Sequence, residues 1–373
     1  MENKQLKTLL RQFTAFLVIL CMVSLFYSYS YEHGKNEQIA AKEERTEQQK
    51  EEKTVQRTTV KTDKIVSSAN IQDKIGKNYI KVNKNYEGLY PVCVEDFYQT
   101  KQMRITIYNM QSQSIFAKDI ALYQNGTRLS EDSEKVQNMR KSAQISYSNM
   151  DSKNLQLELM LSVDAVYGYR LYEDSEAIYI ECCKPKEIYD RILVLDAGHG
   201  GKDTGTPPVS GSLEEKDYNL DFVQRIEKFW QDEDCKIYLT RWDDKQISLS
   251  DRAKFANEVE ADWFISIHCN GTDEGSGSGL EALYKSNAFK KESKQMARLC
   301  LEELAETTGF YNRGVLDGEN IYICKHAKMP MVLLEMGFLS DPSNLAYMKK
   351  ESNRDQMAKA VCTAIEKGME EIK

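Results

Sequence analysis

The 373-residue sequence has no excess of basic residues. Its 58 acidic side chains outnumber the 50 basic ones, and the formal net charge is -8. Proteins that bind a polyphosphate backbone do so mainly through clustered lysine and arginine side chains. We therefore expect no nucleic-acid partner.

The sequence also lacks any CxxC pair, the spacing at which cysteines commonly hold a structural zinc ion. Its nine cysteines are odd in number and show no spacing of a disulfide framework, and most lie inside apolar runs. We expect small buried thiols in a reducing or anaerobic environment rather than disulfide partners.

Long apolar runs are absent except near the N-terminus, where residues 13–31 contain no charged side chain. A basic tail, residues 1–12, precedes this segment and carries Lys4, Lys7 and Arg11. That charge order is typical of a segment whose N-terminus stays in the cytoplasm. The segment's length is close to the ~17 to 25 residues that span a bilayer. We therefore expect a single-pass transmembrane signal-anchor, with the rest of the chain outside the cytoplasm.

Cleavage of this segment is the alternative. Ser28 and Ser30 place two small residues at the spacing that signal peptidase prefers. Release after Ser30 would make the protein secreted rather than anchored.

A spacer follows at residues 32–70, where charges of both signs are mixed and large apolar side chains are almost absent. Such a segment cannot bury a core. We expect a disordered spacer or a solvated helix, which would hold the remainder of the chain away from the membrane.

Residues 71–188 alternate apolar and polar side chains with the period of two that is typical of β-strands, as at 103–107 and 155–161. The Asn125-Gly126 pair between two such runs predicts a hairpin turn. This part has no histidine and no clustered acidic motif. We interpret it as a small, mostly-β binding or spacing domain, in preference to a second active site.

Residues 189–373 combine apolar runs with helical periodicity, which indicates an α/β domain. Runs typical of strands occur at 191–197, 235–240, 262–267, 279–284, 320–324 and 331–335. Helical patterns occur at 214–230, 248–260, 288–307 and 355–371. The alternation predicts a doubly wound, mostly parallel sheet flanked by helices.

Two of the four histidines stand where predicted strands end. His199 follows the first strand and His268 ends the third, while Glu335 ends the last in the same manner. Carboxyl ends of strands form the ligand crevices of open α/β sheets, although a single histidine there is more often structural. Glu215 lies in the first turn of a predicted helix. Its negative charge either only interacts favourably with the positive end of the helix dipole or completes a two-His, one-Glu zinc site with a fourth position open to water.

Five motifs in this half carry a resemblance to a known family. They are LDAGHGGKDTG, EEKDYNLDF, LTRWDDKQISLSDRAKFAN, WFISIHCN and MPMVLLEMGFLSDPSN. In order and approximate spacing they resemble the zinc-dependent N-acetylmuramoyl-L-alanine amidases, the amidase type 3 family of cell-wall enzymes. The resemblance covers about Arg191 to Lys373, half of the chain.

The resemblance implies an α/β catalytic domain that binds one zinc ion through His199, Glu215 and His268. Glu335 would be the catalytic carboxylate. Glu215 is chosen over Glu214 because the family's ligand directly precedes a lysine or a similar polar residue. The implied substrate is peptidoglycan, cut between N-acetylmuramic acid and the L-alanine of the stem peptide, with the catalytic domain facing the cell wall.

Three other functions are compatible with the same residues. One is a zinc peptidase or carboxypeptidase that acts within the stem peptide. Another is a catalytically inactive wall-binding protein, and a third is an anchored scaffold that acts through its spacer and β-rich domain. That domain is a candidate wall-binding module, and no protein activator is assigned.

Five further residues near these motifs have a structural and a functional interpretation. Cys269 either packs as a small side chain or competes for zinc, and packing is favoured. His326 is expected in a loop or at the substrate rim. Arg241, Arg252 and Asn257 are expected to fix the strand and helix that carry them rather than to contact substrate.

Overall fold

The computed structural model describes residues 74–85, 91–207, 213–232, 234–272, 277–286 and 288–372, all within the structural unit Arg57–Lys373. The predicted tail, membrane segment and spacer, residues 1–70, lie outside the described residues. In the ranges that are described, no helix combines the length and the apolar character needed to cross a membrane.

The first half of the described chain, here called the β-rich region (residues 74–183), folds into two antiparallel sheets. Its strands are β1 Tyr79–Asn83, β2 Val92–Phe97, β3 Gln102–Met110, β4 Ile120–Gln124, β5 Thr127–Arg128, β6 Gln144–Asn149, β7 Leu155–Ser162, β8 Gly168–Glu173 and β9 Ala177–Cys183. One helix, α1 Glu134–Ser142, lies between β5 and β6. The sheets have the orders β5-β4-β1-β9-β8 and β2-β3-β7-β6, and the apolar sides of both face one shared core.

The alternation in the sequence accounts for this sandwich, because successive side chains of a strand point to opposite faces. Met103, Ile105 and Ile107 of β3 are fully buried between the sheets. The hairpin predicted at Asn125-Gly126 is confirmed between β4 and β5, where both residues have positive φ angles of 52° and 77°.

The second half, here called the α/β region (residues 191–372), is joined to the first by the short helix α2, Pro185–Ile188. Its strands are β10 Arg191–Ala197, β11 Cys235–Leu239, β12 Trp263–Asn270, β13 Leu280–Tyr284, β14 Asn312–Asp317 and β15 Met331–Phe338. Its helices are α3 Glu215–Phe229, α4 Leu249–Glu258, α5 Lys290–Thr308, α6 Tyr322–His326, α7 Pro342–Met348 and α8 Glu351–Glu371.

The α/β prediction for this half is confirmed. The six strands form one sheet in the order β11-β10-β12-β15-β13-β14, and every neighbouring pair is parallel except β13 with β15. Leu193 and Leu195 of β10 pack on one side with helices α3, α5 and α8, while Ile192 and Val194 pack on the other with α4 and α6. Burial on both faces explains why the central strands β10, β12 and β15 carry long apolar runs.

The strand predicted at 320–324 is wrong. Those residues form a turn and the start of helix α6, with Ile323 and Cys324 buried beside each other. A five-residue apolar run has no periodicity that separates a strand from a short buried helix. Helices α1 and α7 and strand β14 were not predicted, and β14 is an exposed edge strand that carries few apolar side chains.

Eight of the nine cysteines lie in the described chain, where all eight are free. Most of them are buried. Cys21 lies outside the described residues.

Candidate metal centre and active site

The strand ends singled out in the sequence meet at one edge of the sheet. His199 follows β10, His268 lies near the end of β12, and Glu335 lies in β15, with β12 between the other two strands. Glu215 is the first residue of α3 and is almost fully buried. Parallel strands bring their carboxyl ends to the same edge, so residues 136 positions apart in sequence become neighbours.

Three of these side chains form a tight cluster. Glu215 Oε1 lies 3.1 Å from His199 Nε2 and 3.0 Å from His268 Nδ1. The two imidazole rings lie 4.9 Å apart, centre to centre, and are nearly perpendicular. One donor atom from each residue lies within 4.8 Å of the other two. A single metal ion fits this donor set of two imidazoles and one carboxylate.

The charges within the cluster stabilise one another. Burial acts against ionisation of Glu215, but hydrogen bonds and positive charge from His199 and His268 outweigh it and hold the pKa of Glu215 well below its usual range. Burial also acts to lower the pKa of His199, yet Glu215 and Asp203 raise it to about 9. In the metal-free protein a proton on His199 therefore balances the Glu215 carboxylate.

Neighbouring groups fix the orientation of these three side chains. His199 Nδ1 lies 2.9 Å from Asp203 Oδ1, so the Nε2 side of the ring faces the cluster. Glu215 accepts hydrogen bonds from the backbone of Thr206 at 2.7 Å and from Asn219 Nδ2 at 3.2 Å. Such partners set ring orientation and ligand basicity in metal sites. None of these three partners was predicted, although Asp203 and Asn219 lie within the first two quoted motifs.

Glu335 lies next to the cluster but is not one of its three members. The register of the sheet places it directly opposite His268. The residue is half-buried, and its Oε2 atom has no hydrogen-bond partner among the described residues. Burial raises the pKa of Glu335 to about 7, assisted by the charges of Glu215 and Glu281 and opposed by those of His268 and His199. This carboxyl group can therefore accept or donate a proton near neutral pH.

Buried arginines hold the backbone that carries His199. Arg241 donates to the carbonyl oxygens of Ala197 and Gly198, both at 3.0 Å. Arg252 donates to the carbonyl of His199 at 2.6 Å and pairs with the buried Asp196 at 2.5 Å. The expectation that these arginines have a structural role is confirmed by their contacts.

Glycine is required where this loop passes under the second histidine. A Cβ atom added to Gly198 would lie 2.2 Å from Cε1 of His268, closer than real Cβ contacts come. His199 itself has a positive φ of 60°, an uncommon conformation for a residue other than glycine. The loop is therefore shaped around the His268 ring.

The remaining candidates are not members of the metal cluster. Cys269 lies next to it, since its backbone nitrogen donates to Glu215 Oε1 at 3.2 Å. Its side chain is buried in the apolar core, which agrees with the favoured packing role. His326 is exposed on α6, stacks on Tyr322 at 3.9 Å and lies outside the cluster. Asn257 of α4 bonds to His326 and Lys328 at and just after the end of α6, as expected for a structural residue.

Comparison with known proteins gives matches in this half of the chain. The model of the family described as N-acetylmuramoyl-L-alanine amidase (Amidase_3) matches residues 193–367. The chain is 32% identical over 174 residues to N-acetylmuramoyl-L-alanine amidase LytC of Bacillus subtilis (strain 168). This match covers 47% of this chain and 34% of LytC. The chain is 30% identical over 186 residues to the uncharacterized protein YqiI of the same strain, covering 50% of this chain and 88% of YqiI.

A solved structure is also similar. The catalytic domain of CwlV, an N-acetylmuramoyl-L-alanine amidase from Bacillus (Paenibacillus) polymyxa var. colistinus, is 31% identical. The match covers 48% of this chain and 98% of that one, with a TM-score of 0.46. The chain thus spans about a third of LytC and nearly all of YqiI and of the CwlV domain.

Proposed function

This chain belongs to the N-acetylmuramoyl-L-alanine amidase family, and we propose that its α/β region hydrolyses peptidoglycan at the amide bond between N-acetylmuramic acid and the L-alanine of the stem peptide. The observation that carries the proposal is the group formed by His199, Glu215 and His268 next to Glu335. It supplies a metal-binding donor set and a neighbouring acid-base group at one sheet edge.

The metal is proposed to be a single zinc ion. Two imidazoles and one carboxylate are a usual ligand set for catalytic zinc, with a fourth position left for water or substrate. When bound, zinc would polarise the scissile carbonyl and lower the pKa of water from ~15.7 to ~7. Asp203, Thr206 and Asn219 would keep the ligands in place through the contacts described above.

Glu335 is proposed as the general base and acid. Its carboxylate would take a proton from the attacking water and return it to the nitrogen of L-alanine as the amide bond breaks. A pKa raised to about 7 by burial suits both steps, since the group then exchanges a proton readily at neutral pH. Its unpartnered Oε2 atom leaves one oxygen available for this transfer.

The test is to digest purified peptidoglycan with the purified protein lacking residues 1–31 and to identify the bond that is broken. Free L-alanine amino groups at the start of released stem peptides, with intact glycan strands, are expected. New ends within the stem peptide would instead indicate a zinc peptidase. Binding to sacculi with no cleavage by the zinc-loaded protein would indicate an inactive wall-binding protein.

We further propose that the N-terminal segment anchors the protein in the cell membrane, with the α/β region facing the cell wall. Support comes from the apolar segment 13–31 and the preceding basic residues alone. The spacer at 32–70 would give the region its reach toward peptidoglycan.

A further inference from the structure

One side chain of the β-rich region is buried in the core of the α/β region. Tyr98 follows β2 on a single 3-10 turn, Tyr98–Thr100, and is only 3% exposed. Its ring lies edge-on to Tyr238 of β11, with the ring centres 4.9 Å apart, and stacks on Phe255 of α4 at 5.6 Å. These contacts place it in the cluster that also contains β10 residues.

The hydroxyl of Tyr98 binds the end of the edge strand β11. It accepts a hydrogen bond from the backbone nitrogen of Leu239 at 2.8 Å and another from Trp242 Nε1 at 3.1 Å. It donates to the carbonyl oxygen of Leu239 at 3.2 Å, and Gln99 Nε2 donates to the same oxygen at 3.0 Å. One donor and two acceptor positions are all that a hydroxyl has, so the hydrogen-bonding capacity of Tyr98 is fully used.

The segment held in this way, Leu239–Trp242, contains Arg241. The Arg241 guanidinium bonds to the carbonyls of Ala197 and Gly198, which directly precede His199. It also donates to the carbonyl of Lys216 at 2.7 Å, directly after Glu215. One buried side chain therefore joins the backbone beside two candidate metal ligands, and the Tyr98 hydroxyl bonds to Leu239 and Trp242, which lie before and after Arg241 in the sequence.

We propose that Tyr98 is a positioning residue through which the β-rich region sets the geometry of the metal centre. The proposal rests on the metal site of the proposed function. Loss of the hydroxyl leaves the Leu239 and Trp242 N–H groups buried without partners, and such groups are costly to leave unpaired. The segment then relaxes, and Arg241 no longer holds the backbone around His199 and Glu215 in one arrangement.

The test compares Tyr98→Phe with Tyr169→Phe in the protein that contains both regions. The Tyr169 hydroxyl is buried in the β-rich core and has no hydrogen-bond partner in the described part of the chain, so its removal is a matched control. Zinc affinity, measured by competition with a chelator, should fall about tenfold in Tyr98→Phe, the low end for an outer-shell partner. The visible absorption spectrum of the cobalt-substituted protein, which reports ligand geometry, should also change. Tyr169→Phe should match the wild type in both.

A second control separates positioning from the docking of the two regions. Lys101→Ala removes the exposed ion pair with Glu258, 2.9 Å long, which joins the same regions through α4 and not through Leu239–Trp242. Its metal affinity and cobalt spectrum should stay unchanged. An equal loss of zinc affinity in Lys101→Ala or Tyr169→Phe would overturn the proposal. Any weakening of the contact between the two regions, or of the β-rich core, would then be enough to change the metal site.

A readout without metal keeps this inference separate from the proposed function. Hydrogen exchange of the backbone at 196–201 in the metal-free protein should be faster in Tyr98→Phe than in the wild type and in Tyr169→Phe. Unchanged exchange overturns the role of Tyr98 even if zinc binds. If the wild type binds no zinc but exchange is faster in Tyr98→Phe as expected, the metal site is ruled out and the positioning role of Tyr98 stands. If Tyr98→Phe does not fold, Gln99→Met removes one donor to Leu239 and should shift the same readouts in the same direction; no shift overturns the proposal.

Discussion

His268 and Glu335 lie directly opposite each other on the neighbouring parallel strands β12 and β15. Side chains at opposed positions of a sheet point to the same face. Glu335 therefore stands next to a candidate metal ligand, yet the donor cluster is formed by His199, Glu215 and His268 without it. This separation of ligand and neighbouring acid can be tested with side-chain substitutions.

Glu335→Gln should keep zinc bound and lose turnover. The amide preserves the side-chain volume but cannot take up and return a proton, so activity should fall on the order of 10² to 10⁴. Glu215→Gln should lose zinc as well, because a neutral amide is a poor substitute for an anionic ligand. Zinc content and peptidoglycan turnover, measured side by side, give the answer. Metal loss in Glu335→Gln with metal retained in Glu215→Gln would mean that the two roles are exchanged.

The purified protein should bind about one zinc ion per chain, as expected for a single three-ligand site. His199→Ala and His268→Ala should each abolish both metal binding and activity, since each removes one of three donors. His326→Ala is the matched control, because that histidine stacks on Tyr322 away from the cluster. Full retention of zinc by the double variant of His199 and His268, measured by elemental analysis, would rule out the site.

Metal binding should release a proton near neutral pH. The pKa of His199 is raised to about 9 in the metal-free protein, so the ring is protonated at pH 7, while a metal ligand must be neutral. Apparent zinc affinity should therefore rise about tenfold per pH unit up to pH 9, and level off above it. Calorimetry in buffers of different ionisation enthalpy counts the proton directly. A zinc affinity that does not change with pH between 7 and 9 would contradict the assignment of His199 as a ligand that must lose a proton.

Gly198→Ala should weaken the metal site. The new Cβ would lie 2.2 Å from Cε1 of His268, so the ring has to shift from the position in which it contacts Glu215. Zinc affinity should fall by about 10- to 100-fold, as for other losses of ligand orientation. Gly126→Ala is the control, since a Cβ there has nothing within 4 Å and its turn is remote from the site. Equal zinc affinity for the two variants, from chelator competition, would contradict the argument.

The N-terminal segment should place the α/β region outside the cytoplasm. The basic residues Lys4, Lys7 and Arg11 before the apolar segment are expected to stay inside. Protease added to intact, wall-stripped cells should remove the α/β region, as seen with an antibody against the C-terminus. Complete protection until the cells are lysed would show that the orientation is the reverse.

The sequence by itself determined the α/β architecture of the second half and located the four residues of the candidate site. Strands of a sheet buried on both faces must be largely apolar, and that pattern is visible in a central strand such as β10. His199, His268 and Glu335 could be singled out because each interrupts or ends such a run. The identification of Glu215 as a ligand depended on its motif, since an acidic residue in the first turn of a helix is common for other reasons.

Only the tertiary structure decided which groups support that site. Asp203 orients His199, and Arg241 joins the backbone beside His199 and Glu215. Tyr98, from the other region, bonds to Leu239 at the end of β11, just before Arg241. Periodicity reports how a residue lies relative to its own strand or helix, whereas a hydrogen bond between Tyr98 and Leu239 joins positions 141 residues apart. The helix at 322–326 was likewise beyond the sequence, because a short apolar run takes its conformation from the core it packs against.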